Sequence, residues 1–169
     1  MNPIGVIQGR LLEKFKGRYQ AHPLGYWQKE FDIASSFDLD TIEFILDYND
    51  AEQNPLLSIS GIEEIKEVSE QSGVNVQTIC ADYFMDAPLH SENKAIAEQS
   101  SNIMKRLLRH AGLLGVTDLV IPCVDKSSLN GIDQINSFVD QIKRVLSFAE
   151  KEEINLSLET DLPPQPFAE

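Results

Sequence analysis

The chain has 169 residues, 42% of them hydrophobic and 24% charged, an ordinary globular make-up with length enough for one domain and a real core. A formal net charge of −13 sets a repulsive field against phosphate backbones and anionic lipid, so nucleic acid and membrane surfaces are poor general partners. Cys80 and Cys123 match no zinc-binding spacing, no apolar run is long enough to span a bilayer, and no signal-peptide pattern opens the chain. The expectation is a cytoplasmic protein with free thiols, residues 1–169 forming a single domain.

In chain order, Ile4 to Gln8 is a short apolar strand after Pro3, followed by a polar loop from Gly9 to Leu24 that carries Arg10, Arg18, Tyr19 and His22. A helix over Tyr26 to Phe37 places Trp27, Phe31, Ala34 and Phe37 on one face. The second strand, Thr41 to Leu46, sends Ile42, Phe44 and Leu46 one way and Thr41, Glu43, Ile45 and Asp47 the other. After the breaker pair Asn54-Pro55, Ser60 and Glu63 have capping-box spacing for a second helix, with Ile62, Ile65 and Val68 inward and Gly73 at its end. The third strand is Asn75 to Asp82. The loop Tyr83 to His90 follows, and Ser91 is the candidate cap of a long helix running to about Leu114, its stripe marked by Ile96, Ile103, Leu107 and Ala111.

Strand four, Asp118 to Cys123, is apolar on both faces at Leu119-Val120-Ile121, as a doubly covered parallel strand is. The fourth helix has the cleanest apolar pattern, from Ile132 through Phe138, Val139, Ile142, Val145 and Leu146 to Ala149. The fifth strand, Ile154 to Glu159, places Leu156 and Leu158 opposite Ser157 and Glu159 and stops at Pro163-Pro164. Strand starts near 4, 41, 75, 118 and 155 give a β-α repeat that implies an α/β fold with a parallel sheet. Two architectures fit: an open doubly wound sheet of five strands, or part of a (β/α)₈ barrel, which needs about 250 residues. A G-x-G-x-x-G fingerprint and a P-loop are both missing, so nucleotide binding has no support.

Four stretches decide between them. Ile4-Gly5-Val6-Ile7-Gln8-Gly9-Arg10-Leu11, Leu39-Asp40-Thr41-Ile42-Glu43-Phe44, Ile79-Cys80-Ala81-Asp82-Tyr83-Phe84 and Leu156-Ser157-Leu158-Glu159-Thr160 resemble the sugar phosphate isomerase/epimerase family, the xylose isomerase-like barrel group that includes endonuclease IV. The resemblance implies a partial (β/α)₈ TIM barrel: four βα units plus strand five. It also implies metal-assisted isomerisation or epimerisation of a small sugar or sugar derivative, by proton transfer between adjacent carbons. The divalent metal (Mn, Mg or Zn) sits at the C-terminal mouth of such barrels on carboxylates and a histidine from strands five to eight. Only Glu159 maps onto that set, so the implied site is incomplete. The nuclease branch also uses histidines after strands three and four; Asp82 and Pro122-Cys123 stand there instead.

Glu159, an acid at the C-terminal end of a parallel strand, is the candidate catalytic group and metal ligand; the alternative is a solvated or arginine-paired glutamate. Glu43, Arg10, Gln8 and Asp82 are the candidate substrate-binding residues, with Asp47 sharing the face of Glu43. Arg10 either binds a substrate phosphate or carboxylate bidentately or forms a salt bridge with Glu43 or Glu159. Asp82 and Tyr83 either bind hydroxyls or cap their loop. His22 is read as a solvated loop histidine, His90 and His110 as helix-surface or helix-start residues, Trp27 as core rather than a sugar-stacking platform, and Cys80 and Cys123 as buried thiols. Glu63, Glu64, Glu67 and Glu70 form a solvated helix face. The rival readings are a non-catalytic truncated half-barrel that assembles with another copy through open sheet edges at strands one and five, and a complete open sheet acting as a binding module.

Overall fold

The short apolar runs form one parallel sheet in the computed structural model, which describes residues 3–164. Its strands are β1 (Gly5–Ile7), β2 (Thr41–Ile45), β3 (Asn75–Cys80), β4 (Asp118–Cys123) and β5 (Asn155–Thr160), hydrogen-bonded in sequential order. The helices α1 (Gln28–Ser36), α2 (Ile59–Ser72), α3 (Tyr83–Asp86), α4 (Lys94–Leu114) and α5 (Ile132–Lys151) lie between them. A doubly wound sheet places later strands on both sides of the first. Here β1 is an edge and every strand pairs with its predecessor, which is barrel order and dismisses the open-sheet reading.

Strand alternation decides where the core sits. Ile42, Phe44, Ile79, Leu119 and Ile121 are buried on the helix-bearing side, where they meet Phe31, Ile65, Leu107 and Val145. Trp27 packs edge-on against Phe44 with ring centroids 5.4 Å apart, so it belongs to the core. The opposite face of each strand carries Glu43, Cys80, Val120 and Ser157, the positions a closed barrel turns inward.

Helix starts depart from expectation in instructive ways. Ser58, not Ser60, caps α2: its hydroxyl accepts the Gly61 N–H at 3.0 Å. The one-turn 3₁₀ helix Pro55–Leu57 runs straight into that cap, so the helix begins earlier than the Ser60-Glu63 spacing implies. Likewise Asn93 caps α4 by accepting from the Ala95 N–H, and the Ser91 hydroxyl, two residues earlier, accepts the Asn93 N–H. The loop after β3 contains α3; Gly73 ends α2 in left-handed geometry, as read, and Gly115 ends α4 in the same way. Phe37 and Ile132, assigned to apolar faces, are 66% and 67% exposed because each sits at or just past a helix end. Glu63, Glu64, Glu67 and Glu70 are solvated.

Candidate active site

Register lines up side chains from different strands. Ile45 pairs with Cys80, Cys80 with Val120, and Val120 with Ser157, one row across the inward face. At the C-terminal edge beyond it lies a row of acids: Asp47 and Asp82, each two residues past the last paired residue of its strand, and Glu159, which pairs with Pro122. Asp47 and Glu159 both act on the Asp82 carboxyl by their charge, so the three acids are neighbours at this edge. Glu43 lies below, opposite Thr78. The row exists because an acid follows each of β2 and β3 and closes β5, where parallel α/β proteins keep their chemistry.

Each carboxylate has a different environment. Asp47 is buried; its Oδ1 accepts from Arg18 Nη2 at 2.8 Å and its Oδ2 from the His22 N–H at 2.8 Å. Asp82 is half-buried and accepts from the Cys80 thiol at 3.1 Å. Glu159 is exposed and accepts no hydrogen bond among the described residues. Burial raises the Asp82 carboxyl above the ordinary aspartate range; the charges of Asp47 and Glu159 push the same way, and the Cys80 hydrogen bond and Arg18 oppose them. Cys80 is driven far up by burial and by Asp82, Glu43 and Glu159, and Cys123 is pushed up to about 12 by burial. Both thiols are therefore inert and protonated, buried as read.

Beside this row, the first βα loop is built on buried polar groups that sequence reading assigned otherwise. Gln8, a candidate substrate residue, follows the alternation of Val6 and lies fully buried on the helix side. Its Oε1 accepts from Ile45 N and meets His22 Nδ1, each at 3.1 Å. His22 is not solvated: it is 4% exposed, tilted over Phe44, and burial lowers its pKa to about 4. Arg10 is exposed and reaches Gln20 Oε1 at 3.3 Å, rather than Glu43 or Glu159. His90 is also buried, edge-on to Phe138, while His110 Nδ1 lies 2.7 Å from the Leu56 carbonyl.

Sequence reading missed Arg18 and Glu30. Glu30 is fully buried on α1, and both its oxygens take the Gly9 N–H at 2.8 Å while Oε1 takes that of Leu11 at 3.0 Å. Consecutive amides around one anion form a nest. Gly9 has φ of +85°, and a Cβ there would strike the carbonyls of Tyr19 and Ala21. Burial raises the Glu30 pKa, and the amides of Gly9, Leu11 and Arg10 counter it. A signal for Glu30 was present: it falls at i+3 in the stripe Trp27, Phe31, Ala34.

Residues 31–167 match the family described as xylose isomerase-like TIM barrel. The chain belongs to that family. No curated protein matches it. Among solved structures, it is similar to D-psicose 3-epimerase from Clostridium cellulolyticum H10, solved with D-tagatose, at 16% identity and a TM-score of 0.68, over 92% of this chain and 51% of that one. L-ribulose 3-epimerase aligns at 20% identity and a TM-score of 0.64, over 94% and 49%. A xylose isomerase-like TIM barrel protein from Mycobacterium smegmatis, in complex with magnesium, aligns at 18% and 0.61, over 92% and 54%. The chain thus spans about half the length of these structures.

Among the described residues, no three of His, Cys, Asp and Glu come together closely enough to hold an ion, so the residues present do not complete a metal site. A cleft of about 690 Å³ opens away from the mouth, on the outer surface between α4 and α5, lined by Glu98, Lys105 and Arg144. The row of carboxylates, not cavity size, marks the candidate site, and no helix among the described residues is long and apolar enough to cross a membrane.

Proposed function

We propose that this chain is the N-terminal part of an isomerase or epimerase acting on a small sugar or sugar derivative, in which Glu159 moves a proton on a carbon beside the carbonyl. The observation that carries this reading is the row at the C-terminal edge. There an exposed Glu159 shares the edge with a half-buried Asp82, and Glu43 lies two rows below on the same face. Acceptor-only carboxylates in such a row suit a polyhydroxylated ligand, whose hydroxyls donate to Glu43 and Asp82 while Glu159 reaches the carbon acid. Arg10 lines the outer rim, and Gln8 acts from behind by fixing the end of β1 to Ile45. Family membership supports the reading, as do the sugar epimerases among the similar structures.

A divalent cation (Mn, Mg or Zn) belongs to the reading, with Glu159 as one ligand and the remainder outside the described residues. The partner is a small sugar, in a cytoplasmic setting, with nucleic acid disfavoured by the acidic charge. The test is interconversion of ketohexose epimers by the chain in millimolar Mn²⁺. Turnover should fall at least ~100-fold in Glu159→Gln, the scale of a lost acid–base group. Neither turnover nor Mn²⁺ binding at that concentration overturns the proposal.

One observation favours association as well. Among the described residues the outer edges of β1 and β5 have no strand partner, and an apolar groove of about 350 Å³ beside β5 is lined by Phe138, Ile142, Leu158 and Leu162. Self-association through these edges makes a homo-oligomer, and sedimentation across a range of concentrations reads it directly: a constant monomer mass overturns it.

A further inference from the structure

We infer that the cleft between α4 and α5 is a binding site for a small phosphorylated polyol, separate from the mouth. The inference goes beyond the isomerase reading and does not depend on it.

The cleft follows from the sequences of two helices. On α4, Lys94, Glu98, Ser101 and Lys105 recur at intervals of four, three and four, which stacks them along a single face. On α5, Ser137, Gln141 and Arg144 repeat the pattern. All seven line the same cleft of about 690 Å³. Neighbouring helices usually close against each other with apolar side chains. Here two polar faces look across an open space of the size that takes a small ligand.

Its charge is unlike that of the molecule around it. The chain carries −13 overall, yet Lys94, Lys105 and Arg144 bring three positive charges to the cleft against two negative ones from Glu92 and Glu98. Lys16, Arg18, Arg106, Lys126 and Lys151 are each tied to a carboxylate, whereas none of the cleft's three cations has an ion-pair partner among the described residues. Lys105 lies instead over the Phe148 ring, its Nζ 5.6 Å from the centroid. An aromatic face positions an ammonium without neutralising it, so the charge stays available to an anion.

The wall of the cleft supplies a buried donor as well. Ser101 is only 7% exposed, and its hydroxyl makes no hydrogen bond among the described residues. The adjacent Ser100, by contrast, donates to the Ala87 carbonyl at 2.8 Å. A buried hydroxyl without a protein partner is costly unless something in the space it lines meets it.

Phosphate is the group that matches this set. Arg144 can take two phosphate oxygens with its forked N–H donors, and the lysines add compact positive charge. A phosphate monoester carries close to two negative charges, which suits three cations better than a single carboxylate does. Ser137, Gln141 and Glu98 then remain for hydroxyl groups on the carbon skeleton. An uncharged sugar leaves the cations unmatched, so the cleft does not compete with the mouth for it.

The test titrates the full chain with D-glucitol 6-phosphate, which has no carbonyl and so is no substrate for an isomerase, and with inorganic phosphate and D-glucitol. Calorimetry reads affinity, and amide shifts of the isotope-labelled chain read the place. D-Glucitol 6-phosphate should bind saturably at about 1 mM or below, at least ~10-fold tighter than either control, with its largest shifts at residues 94–105 and 137–144. Arg144→Gln and Lys105→Gln should each weaken it by ~10-fold or more, and Ser101→Ala by about 5-fold. Arg144 is exposed, so its variant leaves the core intact. Lys66→Gln, which removes an exposed charge on α2, should leave affinity unchanged. No saturable binding up to about 10 mM, equal affinity for inorganic phosphate, or equal weakening in Lys66→Gln and Arg144→Gln overturns the inference. Shifts centred on the mouth overturn it too, and leave the isomerase reading standing.

Discussion

Glu30, Asp47, Gln8 and His22 form a layer of buried polar groups beneath the first βα loop, and each makes contacts that span many residues in sequence. Asp47 receives a side chain and a backbone amide from the same loop, at Arg18 and His22. Buried donors and acceptors left unpaired cost more than their bonds gain, so such a set fixes one loop conformation. His22 makes the arrangement sensitive to pH. Its ordinary pKa of 6.5 falls to about 4 in the folded chain. Below pH 6.5 the unfolded chain takes up a proton that the folded chain refuses, so stability that is complete above 6.5 is lost as pH drops toward 4. Glu30 works in the opposite sense: its raised pKa means that acid removes a cost which returns as pH rises through its folded value. Comparing wild type with His22→Gln isolates the histidine. Between pH 7 and pH 5, wild type should lose about 2 kcal/mol more than the variant in denaturant unfolding, and equal losses would contradict the buried neutral imidazole. None of these contacts was legible from the sequence, because a loop histidine or glutamate reveals its partner only once the chain has folded back 14 to 37 residues. Glu159 and Glu43 were legible because strand alternation alone assigns their face.

At the scale of elements, all five strands stand where period-two patterning put them, and α4 shows its predicted stripe in buried Ile103, Leu107 and Ala111. Capping was harder. Ser58 and Ser60, like Ser91 and Asn93, are adjacent plausible caps, and the choice is made by the 3₁₀ turn or loop entering the helix rather than by local spacing. The fourth predicted helix, α5, exposes a different limit. Its apolar pattern is the cleanest in the chain, yet it buries Phe138, Val145 and Ala149 while Val139 and Leu146 remain 39% exposed beside the apolar groove. An apolar stripe says that a face wants cover, not that this chain supplies it. Neighbouring residues on α5 should therefore respond differently. Phe138→Ala should cost about 3–5 kcal/mol, as a large core truncation does, while Val139→Lys should stay within about 0.5 kcal/mol of wild type. Matching denaturation midpoints for the two variants would contradict the burial assigned to α5.

For the whole molecule, sequential parallel order is the fact that connects fold to function. It makes the C-terminal ends of β2, β3 and β5 fall on one edge and brings Asp47, Asp82 and Glu159 close enough to act on one another by charge. Periodicity alone left an open sheet and a partial barrel equally available, since both repeat β-α. Strand order, which depends on contacts between distant segments, separated them. At the mouth Arg18 is tied to Asp47. The central claim is that this edge, and not the polar cleft between α4 and α5, receives the sugar. Titration of the isotope-labelled chain with D-psicose, followed by backbone amide shifts, tests it most directly. The account predicts the largest changes at residues 43–47, 80–82 and 157–160; shifts confined to the α4–α5 cleft around Glu98, Lys105 and Arg144 would contradict it.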